Sequence, residues 1–190
     1  TRTPSSAASD VYKRQGGICN GTYLKDENII HSSDIGPGNC LLDATMRNFN
    51  LGKFDLDGSL ASKGNVDSFL LEELLSQIDS LPYPRADDLS VYMNLLEKNK
   101  KSLNQKTPED ILSTLTELTV KKIQEYFNFC GAPETVIFHG GGAENKYLMH
   151  RIKETIKAEI STIDNLISSK YVESAAFAYL AFKERAVLFK

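Results

Sequence analysis

Twice in this chain a run of β-branched and apolar residues stops at glycines and turns at once into helical periodicity. The first junction is "SSDIGPGNCLLDA", residues 32–44; the second is "TVIFHGGG", residues 135–142, with a helix from Asn145 to Ile156 behind it. A strand that turns on glycine into a helix sends the chain back over a sheet, and a helical crossover imposes parallel pairing. Ahead of the first junction, "GGICNGTYL" and "ENIIHSSD" read as two strands joined by a polar turn at Lys25–Asp26. That hairpin predicts an antiparallel edge. The fold class is therefore α/β, with a mixed sheet flanked by helices.

The remaining elements follow from spacing. Asn39 to Phe49 is predicted helical. "LGKFDLDGSLASKG" is an irregular acidic loop. From Val66 to Ile78, Phe69, Leu70, Leu71, Leu74, Leu75 and Ile78 recur near helical spacing. "SLPYPRADD" breaks the pattern with Pro82 and Pro84. Thr107-Pro108-Glu109-Asp110 supplies a capping hydroxyl, a proline in the first turn and acids near the positive dipole end, and predicts a helix to about Cys130. The Thr135–Phe138 strand reads as buried. "AEISTIDNL" reads as a strand and Tyr171 to Leu188 as a helix. The predicted order is β-β-α-α-α-β-α-β-α.

Composition narrows the function. The chain has 190 residues, 25% of them charged, with a net charge of −3 and no Lys/Arg stripe, which argues against nucleic acid as a partner. No apolar stretch approaches the roughly 20 residues of a membrane helix, so no membrane role is expected. Cys19, Cys40 and Cys130 lie far apart without a CxxC pair, which points to a reducing, cytoplasmic setting and no zinc site. No signal peptide is expected. Residues 1–15 contain "SSAASDVYKRQ", which resembles a translated library adapter; they are expected to be a non-native, disordered tail.

Two clusters could carry chemistry. Gly36 and Gly38 bracket Pro37, and the following helix aims its positive end at the same space. Bare amides beside a helix N-terminus bind anions, phosphate above all. Asp34, at a strand end, can take a proton from an attacking water or hydroxyl, or hold Mg²⁺. A plain structural turn is the alternative. Gly140, Gly141 and Gly142 suggest a backbone pressed against something close. An adenosine would suit it, with Asn145 within polar reach; a purely structural glycine run is the other reading. Neither GxGxxG nor GxxxxGK[ST] occurs, so neither a Rossmann fingerprint nor a P-loop is supported.

Taken in order, "GGICNGTYL", "DIGPGN" with Leu41, Leu42 and Asp43, "FDLDGSLASKG", "TLTELT", "GGGAENKYLM" and "ESAAFAYLA" resemble the anhydro-N-acetylmuramic acid kinase family. The resemblance runs from about Gly16 to Lys183. It implies one lobe of an actin/hexokinase-like (ribonuclease H-like) fold, with ATP in the cleft between two lobes. It places the general base at Asp34, the phosphate loop at Gly36, Pro37, Gly38 and Asn39, and the adenosine-side loop at Gly140–Gly142 with Asn145. It implies ATP and Mg²⁺ as cofactors, the metal travelling with ATP and touching Asp34 at most. The partners are an amino sugar and ATP, with room for a homodimer of the full-length protein. The implied reaction opens 1,6-anhydro-N-acetylmuramic acid with water and phosphorylates O6, a step of peptidoglycan recycling.

The sequence departs from the family in three places. Ile35 replaces a threonine and Gly21 a larger residue. The sugar-site segment of Ser-Thr-Gly-Arg-Glu character becomes Arg85-Ala86-Asp87-Asp88-Leu89-Ser90, so Asn20 and Asp88 are the candidate sugar contacts. The family's first phosphate loop has no counterpart, so residues 16–190 are expected to be a C-terminal lobe without its N-terminal one, inactive alone. A non-catalytic nucleotide- or sugar-sensing protein on the same fold is the alternative.

The other candidates carry weaker signals. His31, His139 and His150 share no metal spacing. Asp55 and Asp57 suit an ion or the sugar, with a solvated loop preferred. Asp43 and Glu173 suit either the cleft or a helix dipole. Lys121 and Lys122 read as a solvated helix face.

Overall fold

The computed structural model describes residues 17–26, 28–78 and 82–163, together with 167–168, 171–172, 174–175 and 178–179. The predicted hairpin forms from β1 (Cys19–Lys25) and β2 (Asn28–Gly36), antiparallel, with Asn20 opposite Asp34. Helix α1 (Cys40–Asn48) follows. Two short 3₁₀ turns then lead to α2 (Ser68–Gln77). Next come α3 (Leu89–Lys98), the short α4 (Lys100–Leu103) and the long α5 (Pro108–Phe129). Strand β3 (Thr135–Phe138) leads into α6 (Gly141–Glu144) and α7 (Lys146–Thr155), and β4 (Glu159–Thr162) pairs parallel with β3.

Helix α5 is the axis. Leu112, Leu115, Leu118 and Val120 are completely buried, and so are Thr114 and Thr116. Its N-terminus is built as the sequence predicts, with Thr107 capping the Asp110 amide and Pro108 in the first turn. One side meets α1, α2 and α3 through Leu41, Leu70, Leu74 and Tyr92. The other side meets β2, β3, β4 and α7 through Ile35, Phe138, Ile160 and Ile152. Buried hydroxyls on this axis return to backbone: Thr116 donates to the Leu112 carbonyl at 2.8 Å and Thr114 to that of Asp110 at 2.7 Å. Glu117, also buried, receives the Arg151 guanidinium of α7 at 3.0 Å, and this pairing holds Arg151 above its ordinary pKa.

Several expectations change. Helix α3 was not predicted, because Pro82 and Pro84 drew the irregular reading onward. Its signals are present in Leu89, Tyr92 and Leu96 behind an Asp88 cap. The two strand pairs are separate two-stranded sheets among the described residues and not one mixed sheet. They share the α5 core in place of hydrogen bonds. Strand β3 alternates exposed and half-buried residues where a fully buried strand was expected. Lys122 is no solvated residue: it is 4% exposed and paired with Glu125, while Lys121 is exposed. The helix expected over 171–188 lies largely outside the described residues, as do the tail 1–15 and Glu173.

The acidic loop 51–64 is likewise more ordered than a solvated loop. Asp55 is buried, and its carboxylate accepts the Leu60 and Ala61 amides at 2.9 Å and the Ser59 hydroxyl at 3.2 Å. Asp57 pairs with Lys146 at 2.9 Å.

Asp67, Asp88 and Asp110 are all held below the usual aspartate range, chiefly by the amides of Leu70, Ser90 and Asn65 respectively. Depressed carboxylates stabilise the fold above their unfolded pKa of about 3.9, and that contribution disappears as pH falls through the folded value. Asp67→Ala, which removes the α2 cap, should cost about 1 kcal/mol at pH 7. The deficit should vanish near pH 2, where the parent has lost the same contribution. Urea unfolding midpoints at the two pH values check this; an equal deficit at both would remove the carboxylate from the explanation.

Candidate functional site

The site begins where β2 runs into α1. A Cβ at Gly36 would stand 2.8 Å from the Lys122 Cβ, so glycine lets the loop lie on α5. Gly38 has φ +52°, and a Cβ there would stand 2.6 Å from the Gly17 carbonyl oxygen. The missing side chains therefore give way to protein; neither glycine serves to bare an open loop. The Pro37 carbonyl accepts the Cys40 amide at 3.0 Å, and the Thr119 hydroxyl donates to the Gly38 carbonyl at 3.0 Å. Asn39 occupies the α1 cap position without a side-chain cap bond. Its Oδ1 is buried and has no partner among the described residues.

Asp34 stands two residues before Gly36 and is half-buried. The segment 85–87 runs beside it like a third strand. The Asp34 amide donates to the Arg85 carbonyl at 2.9 Å, and the Asp87 amide donates to Asp34 Oδ2 at 2.8 Å. The Arg85 amide donates to the Ser33 hydroxyl at 2.9 Å, and Arg85 Nη2 to the Ile35 carbonyl at 2.7 Å. An open pocket of about 280 Å³ sits over this junction, lined by Asn20, Thr22, Ser32, Ser33, Asp34 and Arg85 with Gly21 and Ala86. Amides and hydroxyls around one carboxylate suit a polyhydroxylated ligand. Asn20 belongs to this pocket. Asp88 does not line it: its carboxylate caps α3 by accepting the Ser90 amide at 2.7 Å. Arg85 and Asp87 of the 85–90 segment, Ser33 of "SSDIGPGN" and Thr119 of "TLTELT" also hold this junction, and sequence reading gave none of the four a role of its own.

The second glycine loop lies next to the first. Only Gly140 needs glycine for conformation, at φ +78°; a Cβ at Gly140 would meet nothing within 4 Å. Gly141 and Gly142 open the short helix α6, and a Cβ on Gly141 would stand 3.8 Å from Asn39 Nδ2. The two loops thus face each other with space above the glycines. Asn145 is placed differently from the expectation of polar reach. It is buried, its Oδ1 accepts the Leu148 amide at 3.0 Å as the α7 cap, and Gly58 packs directly on it. Asp43 is raised above its ordinary pKa by burial, with Arg47 opposing the shift. No group of three or more His, Cys, Asp or Glu side chains among the described residues could hold a metal ion. His31 meets Tyr126 at 3.1 Å and His150 pairs with Glu154 at 3.3 Å, so both are occupied structurally.

The sequence profile of anhydro-N-acetylmuramic acid kinase matches residues 5–188. This chain belongs to that family. It is 36% identical over 171 residues to the anhydro-N-acetylmuramic acid kinase of Gamma-proteobacterium EBAC31A08, covering 88% of this chain and 46% of that one. Over 184 residues it is 34% identical to the Haemophilus influenzae enzyme of the same name, covering 88% and 48%. The chain spans about half the length of the curated relatives it matches. Among solved structures it is similar to the activator of the 2-hydroxyisocaproyl-CoA dehydratase from Clostridium difficile with bound ADPNP. That match has a TM-score of 0.55 and 13% identity, over 92% of this chain and 62% of the other. The fold is thus α/β of the actin/hexokinase-like class. No helix among the described residues is long and apolar enough to cross a membrane.

Gly21 and Ile35 meet in space. A Cβ on Gly21 would stand 2.9 Å from Ile35 Cδ1 and 2.8 Å from the Tyr126 ring. Ile35 is buried and fills the space that Gly21 leaves. Adding a methyl to such a contact costs about 1–3 kcal/mol. Gly21→Ala should therefore destabilise by that amount, and Ile35→Val, which removes Cδ1, should recover part of it in the double variant. Strictly additive losses in chemical unfolding would show that the two positions are independent.

Proposed function

We propose that the full-length protein is an ATP-dependent kinase that opens 1,6-anhydro-N-acetylmuramic acid with water and phosphorylates O6. The product is N-acetylmuramic acid 6-phosphate, as in peptidoglycan recycling in the cytoplasm. The observation that carries this reading is the convergence of the two glycine loops at Asn39 and Gly141, with Asp34 in an adjoining polar pocket. The orphaned Asn39 Oδ1 and the free space over Gly140–Gly142 fit a nucleotide. Mg-ATP supplies the transferable γ-phosphoryl group when bound. Among the residues lining the pocket, Asp34 is the carboxylate that would touch a Mg²⁺ arriving with ATP, which would neutralise phosphoryl charge there.

In this reading Asp34 accepts a proton from the water that attacks the anomeric carbon. Its Oδ2 is fixed by the Asp87 amide, so the carboxylate meets the pocket in one orientation. Asn20, Thr22 and Ser32 orient the sugar through its hydroxyls. The first-turn amides of α1 lie beside Asn39 and favour phosphoryl charge. The part of the relatives' length beyond this chain supplies the opposing wall of the cleft, so these 190 residues alone are expected not to turn over.

In the full-length protein Asp34→Asn should lower kcat by about 10²–10⁴ while ATP affinity changes little. Calorimetric ATP binding with and without Mg²⁺, beside single-turnover kinetics, checks this. An affinity that falls only in the presence of Mg²⁺ would make Asp34 a metal contact, and unaltered turnover would return "SSDIGPGN" to an ordinary turn.

Gly141→Val should leave the unfolding free energy within about 0.5 kcal/mol of the parent, typical of an unobstructed surface change. The ATP KM should rise several-fold, because the branched side chain fills the space between the loops. Equal losses in stability and affinity would make the glycine structural.

A further inference from the structure

Arg85, Asp87 and Tyr92 form a linked unit beside Asp34, although the buried Arg85 Nε and Nη1 have no hydrogen-bond partner among the described residues. Arg85 Nε lies 3.1 Å from Asp87 Oδ1, and Nη2 donates to Oδ2 at 3.2 Å. The Tyr92 hydroxyl donates to the same carboxylate. The side chains of Arg85 and Asp87 are 3% and 10% exposed, and Tyr92 is 1% exposed. The Arg85 guanidinium also lies 5.0 Å from the Tyr83 ring centre. A buried ion pair costs desolvation, and each member lost strands its partner, so the unit is held together or not at all.

The geometry points to this unit as the positioning device for Asp34, an inference that rests on the kinase reading above. The ion pair itself never touches Asp34. It acts through backbone: with its side chain anchored to Arg85 and Tyr92, Asp87 presents its amide to Asp34 Oδ2. Arg85 anchors the other side by donating to the Ile35 carbonyl, while its own carbonyl accepts the Asp34 amide. The base is thus clamped from the residue before to the residue after. Oδ1 has no partner among the described residues and is left to the pocket. Tyr92 belongs to α3, so the clamp ties the carboxylate's orientation to the helical half of the core. This assigns the altered 85–90 segment a role in orienting the base, and Asp87 replaces Asp88 as its working carboxylate.

Two measurements decide it. In this chain, NMR amide exchange at Asp87 should speed up at least tenfold in Asp34→Ala and several-fold in Tyr92→Phe; unchanged exchange in either overturns the clamp. In the full-length protein, Tyr92→Phe should lower kcat about tenfold, with KM for sugar and ATP within twofold. In an Asp34→Asn background it should cost nothing further, because a positioning residue acts only through the group it positions. Asp87→Asn, which keeps the amide but strands the buried Arg85 charge, should lower kcat at least as far as Tyr92→Phe, again with no further loss in the Asp34→Asn background. Equal losses in both backgrounds, or a loss taken in KM, would make the unit merely structural and overturn the inference. Parental turnover by Asp34→Asn would instead sink the general-base reading, while amide exchange still judges the clamp.

Discussion

The hydroxyl of Thr119 reaches from the middle of the buried helix α5 to the carbonyl of Gly38. That bond joins the rigid axis of the molecule to the loop on which the candidate chemistry depends. Around it, Gly36 lies on the Lys122 stem and Gly38 on the backbone of residues 17–19. The loop is thereby held from three sides before any ligand arrives. Preorganisation of this kind lets a site meet developing charge without rearranging first. The "TLTELT" stretch is the inner face of this support. Thr114 accepts the Asp67 amide at 3.0 Å, Thr119 holds the loop, and Glu117 receives Arg151 from α7.

Electrostatics in the site are arranged by burial more than by accumulated charge. The Cys19 thiol is pushed up to about 12 by desolvation, with the Asp34 charge adding to the shift. Cys40 is likewise raised to about 12 by burial. Neither thiol is a nucleophile in this setting. Lys122 is buried with its charge spent on Glu125, and Arg85 spends its charge on Asp87. Asp34 is left as the carboxylate that faces an open polar pocket.

Helices with a periodic apolar face were legible: α1, and α2, α5 and α7 with side-chain caps as well, fall within a few residues of their predicted bounds. The hairpin and the strand before the glycines were legible for the same local reason. Helix α3 was missed because Pro82 and Pro84 signal a break, whereas Asp88 signals a start six residues after the first proline. The glycines were legible as special but not for their reasons. Only Gly38 and Gly140 among the site glycines have positive φ, and what a Cβ would strike depends on residues far away in the chain.

The sequence by itself determined the α/β class and the family resemblance and singled out Asp34 as a candidate base, because each is written in short-range pattern. Tertiary structure decided which polar residues stand together. Asn20 meets Asp34 across a strand pair, Asp87 meets it across more than fifty residues, and Asn39 meets Gly141 across a hundred. It also decided that Ile35 and Gly21 are one compensated contact and that Asn145 and Asp88 are helix caps. Capping, burial and close approach depend on which distant backbone arrives at a residue. Packing of α5 against both halves of the core settles that, and no local window of sequence contains it.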